Sequence, residues 1–313
     1  MPSRLTNCAV SVATLLLTTG SGHTSASPKE VSSRPEAAKV HIIPLERGMM
    51  YISRFKDTRD ALYRQAPELK ARLDIPSSES FSRSAIASLL NQRDSLGNPA
   101  AGIRIYFGLD AGGQVRLILV SYDSRGINII QPLSSEKGEG LSPEGGGEVI
   151  EDGLRCPPAC PDEENSLGGN QEASALDAAR NHIISAKEAA AYTARFRSTW
   201  NEIPRQIPGL STRLNFIRSE SFNRDAIAVL LNQRDGDGNL ATGIRIHFGL
   251  DFEGQIHLVL TPHDAQGRSI IGRLSESPST GTESEGDGEV IEDGQRCPPS
   301  CGALSNSILD EKP

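Results

Sequence analysis

The 313-residue chain is written twice. Asn91-Gln92-Arg93-Asp94 recurs as Asn232-Gln233-Arg234-Asp235, and Gly102-Ile103-Arg104-Ile105 recurs as Gly243-Ile244-Arg245-Ile246, each 141 residues on. The same offset carries His41-Ile42-Ile43 onto His182-Ile183-Ile184, Ser80-Phe81 onto Ser221-Phe222, and Cys156 onto Cys297. A period this long is domain-sized, well above the roughly 20–50 residues of a solenoid repeat. It predicts a unit over 41–160 and again over 182–301, joined by an acidic, Gly- and Asn-containing linker at 161–181. The two halves must find closely related folds.

Within a unit, helix signals come first. Ser185 and Glu188 have capping-box spacing, and Tyr192, Phe196 and Trp200 recur every four residues along one face. Pro44 stands where the first copy has no such cap, a residue suited to a first helical turn. Ser82 and Asn223 are N-caps for a second helix. Phe81 with Ile86, and Phe222 with Ile227, have the spacing of a hydrophobic staple. Ile103, Ile105, Phe107 and Leu109 then alternate with Arg104 and Tyr106, predicting a strand with one buried and one wetter face. A turn at Asp110–Gly113, repeated at Asp251–Gly254, leads into a second strand carrying Val115, Leu117 and Leu119. A further short strand is expected at 127–130.

The expected class is therefore α+β: two tandem copies of a small two-layer unit, with two helices and then an antiparallel strand pair. The packed parts span about 41–132 and 182–274. From 133 to 160 and from 275 to 301 each copy becomes a Gly/Ser/Pro/Glu tether ending in a cysteine tail.

Those tails carry Cys156-Pro157-Pro158-Ala159-Cys160 and Cys297-Pro298-Pro299-Ser300-Cys301. Residues 1–26 read as a secretory signal: Arg4 precedes an apolar stretch from Cys8 to Leu17, and Thr24-Ser25-Ala26 offers a cleavage site. An exported chain (periplasmic, cell-surface or secreted) with four remaining cysteines points to disulfides, within each pair or between copies. Thiolate metal ligation and an exchanging redox pair stay open at Cys156, Cys160, Cys297 and Cys301.

The remaining chemistry is sparse. A net charge of −8 argues against nucleic acid as a partner. No catalytic or dinucleotide motif is present, and no cofactor is implied. Asp235-Gly236-Asp237-Gly238-Asn239 opens like a calcium loop but lacks its sixth-position Gly and twelfth-position Glu, so it reads as a turn. His247 and His257 stand opposite Tyr106 and Arg116, an exchangeability expected of surface strand positions. Glu151 and Asp152, beside a tether, read as solvated charge.

The Gly102–Asp110 segment and the Cys-Pro-Pro-x-Cys tail resemble uncharacterised proteins of Bacteroidota-type bacteria, which have no assigned activity. The expected role is non-enzymatic: a binding or structural module for an unknown protein or small molecule, its two units packing on each other or acting bivalently. The alternative is a thiol, disulfide or metal function at the tails.

Overall fold

The computed structural model describes residues 29–133, 147–151, 153–156, 182–207, 209–274, 288–297 and 309. The signal at 1–26, the linker at 161–181, most of both tethers, Asp152, Cys160 and Cys301 lie outside the described residues.

The first half begins with α1 (Pro35–Ala38), β1 (Ile42–Pro44) and the long α2 (Leu45–Gln65). It continues through α3 (Pro67–Arg72), β2 (Ser78–Ser82), α4 (Arg83–Asn91), and the hairpin β3 (Gly102–Leu109) and β4 (Val115–Tyr122). Three short strands close it: β5 (Asn128–Ile129), β6 (Glu148–Ile150) and β7 (Leu154–Cys156). The second half opens with β8 (Ile183–Ser185), α5 (Ala186–Gln206) and α6 (Leu210–Arg213). Then come β9 (Ser219–Asn223), α7 (Arg224–Leu231), β10 (Gly243–Leu250), β11 (Ile256–His263), β12 (Glu289–Ile291) and β13 (Gln295–Cys297).

Helix starts follow the local chemistry. Ser185 Oγ accepts from the Glu188 amide, Ser82 Oγ from Ala85, and Asn223 Oδ1 from Ala226, so each occupies one otherwise orphaned donor. Pro44 is the cap residue of α2, one place before the first helical turn. In the hairpin turns Gly113 and Gly254 adopt φ of 80° and 77°, which a side chain would resist.

The strands form two antiparallel sheets. One has the order β1-β12-β11-β10-β2-β7; the other runs β13-β9-β3-β4-β6-β8, with β5 beside β4. Each sheet thus takes a hairpin from one half and flanking strands from the other. β2 pairs with β10 from Gly243↔Ser82 to His247↔Ser78, and β9 pairs with β3 from Gly102↔Asn223 to Tyr106↔Ser219. The helices cross as well: α2 packs on β10 and α5 on β3. In place of two self-contained two-layer units, the strands and helices of the two halves interleave.

The main core gathers Ile103, Ile105, Phe107 and Leu109 of β3 with Ile244, Ile246, Phe248 and Leu250 of β10, and α4 and α7 add Ile86, Leu89, Ile227 and Leu230. Phe107 and Phe248 meet with ring centroids 5.9 Å apart. The opposite face of β3 is also covered, since Tyr106 packs with Ile118, Val120, Ala186 and Ala189. The wetter face expected for β3 is therefore absent. Arg104 stays buried by donating to Ser221 Oγ, Gly126 O and Asn128 Oδ1. Among the described residues no helix is long and apolar enough to cross a membrane.

Candidate functional site

β2 and β9 place a glutamate on the same face as a core phenylalanine. In Ser78-Glu79-Ser80-Phe81-Ser82 the two-residue period sends Glu79 inward beside Phe81, and Glu220 is placed likewise beside Phe222. Both glutamates are fully buried. Glu79 Oε2 accepts from the Leu117 amide at 3.1 Å, and Glu220 Oε2 from the Leu258 amide at 2.9 Å. These amides lie near where the β4–β6 and β11–β12 pairings reduce to Leu119↔Ile150 and Leu260↔Ile291. Each glutamate therefore supplies an acceptor that the sheet ladder does not, and ties the two sheets together.

Around Glu79 the first half assembles two cations. Arg116 Nε hydrogen-bonds to Glu151 Oε1 and lies 3.9 Å from Glu79 Oε1; Arg155 Nε lies 3.7 Å from the same oxygen. Arg155 is anchored on Gln114 Oε1 at 2.7 Å and on Asp74 O at 2.8 Å. Glu151 is thus buried in an ion pair, which overturns its reading as solvated charge.

Neither arginine is close enough to hydrogen-bond Glu79 Oε1. Burial consequently dominates and pushes the Glu79 carboxyl up to about 8; Arg116, the Leu117 amide and Arg155 oppose the rise, and Glu151 adds to it. A carboxyl raised on folding contributes stability that is complete below its unfolded pKa and lost as pH climbs through the folded value. Wild-type stability should therefore fall between about pH 4.5 and pH 8 by an amount on the order of a few kcal/mol. Glu79→Gln, which stays neutral, should lessen that slope, and the part that remains belongs to the equally buried Glu220. Thermal melts at pH 6 and pH 9 check it, and parallel slopes in the two proteins would refute it.

The second half replaces Arg116 by His257, with a different result. His257 is buried between two carboxylates: Nδ1 meets Glu292 Oε1, and Nε2 lies 2.8 Å from Asp251 Oδ2. Burial pulls its pKa down, but the hydrogen bonds to Glu292 and Asp251 win and raise it. Burial would raise Asp251, yet the bonds from His257 and the Gln255 amide hold it low. Glu220, desolvated and beside Glu292, is pushed up to about 8. Glu220, His257 and Glu292 offer ligand atoms that all lie within 4.8 Å of one another. The surface position expected for His257 is wrong, because the outer and inner faces of β11 are both covered. His247 is likewise drawn in: its Nε2 meets Thr261 Oγ1 at 3.2 Å, and burial lowers its pKa to about 3.

A cleft of about 310 Å³ opens where α5 of the second half crosses β3 of the first. Tyr106, Phe107, Phe196, Trp200 and Phe216 supply aromatic surface, while Arg197, Arg218, Asn201 and Asn215 supply polar groups. Trp200 packs edge-on against Phe216 at 4.9 Å. The equivalent place in the first half has closed to about 70 Å³. There Arg59 takes the position of Trp200 and turns inward, donating to Ile75 O and Ser77 Oγ.

Of the cysteines, Cys156 on β7 stands opposite Ser78 of β2, and Cys297 on β13 stands opposite Ser219 of β9. The disulfides expected at the tails rest on Cys160 and Cys301, which lie outside the described residues. The Asp235 loop is a turn in which Oδ1 accepts from the Asp237 and Asn239 amides, and Asp94 serves Leu96 and Asn98 in the same way. Comparison with protein-family models, with curated proteins and with solved structures returns no match.

Proposed function

We propose that this chain is an exported tandem-repeat binding module, without catalysis, that holds a small ring-bearing organic acid in the cleft beneath α5. The difference between the halves carries this reading: Trp200 leaves open in one half the space that Arg59 fills in the other. A volume near 300 Å³ is at the lower end of small-molecule sites, which are largely apolar with a few fixed polar groups. The faces of Trp200 and Phe216 suit a flat ring or a sugar face. Arg218 suits a carboxylate, which a guanidinium recognises as a fork, and Asn201 and Asn215 can pair with hydroxyls. Because α5 and β3 belong to different halves, the cleft would exist only when both are present. In this reading the tails at Cys156, Cys160, Cys297 and Cys301 are disulfide staples, as an exported chain favours, with a thiol or metal function there as the alternative.

Trp200 is the chain's single tryptophan, so intrinsic fluorescence reports on the cleft directly. Titration with glucuronate and with benzoate should give a saturable change for at least one of them. Arg218→Gln should weaken that binding about tenfold, or ~1.4 kcal/mol. No saturable response to either acid, or an unaltered affinity in Arg218→Gln, would reject the assignment.

A further inference from the structure

The two buried charge clusters are built alike but balanced differently. In the first half Glu79 and Glu151 face two permanent cations, Arg116 and Arg155. In the second, His257 stands where Arg116 does, held between Glu292 and Asp251, and Arg296 lies near Glu220 and Asp251. The Arg116 guanidinium of the first half is a permanent cation, whereas the imidazole that replaces it can lose its proton, and a buried carboxylate without a cationic partner is costly. Glu220 Oε1 is buried with no hydrogen-bond partner, although its sister oxygen is held by the Leu258 amide. Arg296 does not fill the gap: its Nη2 is committed to Ile256 O, and its buried Nε makes no hydrogen bond.

We propose that Glu220, His257 and Glu292 bind a first-row divalent cation, with zinc the ion that best fits the set. Imidazole and carboxylate oxygens are ordinary zinc ligands, and three protein ligands leave a fourth place for water. All three donor residues are buried, and their ligand atoms are near enough for one ion to be reached from each. The neighbouring Asp251 supports this use of the imidazole. With Nε2–H donated to Asp251 Oδ2, the Nδ1 lone pair is directed to the Glu292 side, where the ion would lie. Metal-bound histidines commonly have such a carboxylate on the other ring nitrogen, where it fixes tautomer and orientation. A bound dication would supply the missing partner of Glu220 Oε1. The first half serves as an internal comparison, because Arg116 occupies the corresponding place with a cation that cannot leave.

The test uses the full chain stripped with a chelator and titrated with zinc by calorimetry, then with cobalt followed by visible absorbance. Wild type should take up one ion per chain, with cobalt showing the absorption of a low-coordinate nitrogen–oxygen site. His257→Arg, which imports the first half's solution, should lower zinc affinity at least about a hundredfold. Glu220→Gln is nearly isosteric and should weaken binding at least about tenfold, and Asp251→Asn about ten- to a hundredfold. Unchanged Trp200 fluorescence and far-ultraviolet circular dichroism would show that each variant is folded. If His257→Arg fails to fold, the Glu220→Gln and Asp251→Asn affinities decide. Absence of stoichiometric zinc binding by wild type, or affinity unaltered in the folded variants, overturns the proposal.

Discussion

Residues 29–160 produced alone should purify as a dimer of that half or as an unfolded chain, and not as a folded monomer. In the intact protein β3 is covered along Gly102–Tyr106 by β9 of the other half, and its outer face is covered by α5 of that half. Removing the second half would turn a fully buried strand into an exposed edge with an uncovered apolar face, an arrangement that invites pairing with another chain. It would also leave β2 without β10 and α2 without the surface that buries Phe55, whose ring stacks on Phe248 at 5.4 Å. A second copy of the same half can supply what is missing. Ser78–Ser82 reads SESFS where Ser219–Asn223 reads SESFN, and both strands face the same Gly-Ile-Arg-Ile. Two first halves could therefore exchange β2 and α2 reciprocally, closing a twofold dimer in which each β3 edge is paired. Each charge cluster would survive, because Glu79, Arg116, Glu151 and Arg155 all belong to one half. Light scattering coupled to gel filtration checks the outcome, and the folded fraction should rise with concentration. Co-expression with residues 161–313 should instead give a one-to-one complex. A monomeric, cooperatively folding first half would mean that the halves pack without depending on each other.

The same sequence facts explain how much could be read in advance. The caps at Ser82, Ser185 and Asn223 and the hairpins after Leu109 and Leu250 are local signals, and the structure has them where the residues place them. Interleaving is not local. Two nearly identical copies of a strand compete for two nearly identical partners, so residue identity cannot say which copy β2 joins; that choice rests on chain geometry and packing. The buried carboxylates were hidden for a different reason. Glu79 and Glu220 share the period-two face of Phe81 and Phe222, a signal that was available, but a glutamate flanked by serines looks like an exposed strand residue. His257 and Glu292 lie 35 residues apart in sequence and meet across a fold that neither pattern nor spacing reveals. The exchange of Arg116 for His257 between copies was visible, and its meaning appears only once both side chains are found facing two glutamates.

Gly102→Ala should cost about 3 kcal/mol or more. In the interior of most strands the change from glycine to alanine is favourable by roughly 0.5–1 kcal/mol, because the unfolded chain loses freedom. Here the sign reverses. A Cβ on Gly102 would fall 2.2 Å from Phe222 O and 2.5 Å from Tyr122 Oη, and the first of these is backbone belonging to the other half. That carbonyl cannot retreat without parting β9 from β3, where Gly102 faces Asn223 at the end of the ladder. Tyr122 cannot easily yield either, since its ring is covered by the Arg104 guanidinium at 5.2 Å and its hydroxyl donates to Phe222 O. Gly243 stands in the matching place, 2.3 Å from Phe81 O and 2.5 Å from His263 Nε2, so Gly243→Ala should do comparable damage to the β2–β10 crossing. Gly236→Ala provides the control, because nothing lies within 4 Å of its added carbon and its effect should stay within about 0.5 kcal/mol. Urea unfolding of the three variants measures the contrast. A loss below about 1 kcal/mol in Gly102→Ala and Gly243→Ala would show that the crossings can open to admit a methyl group, and that close backbone contact is not what holds the two halves in register.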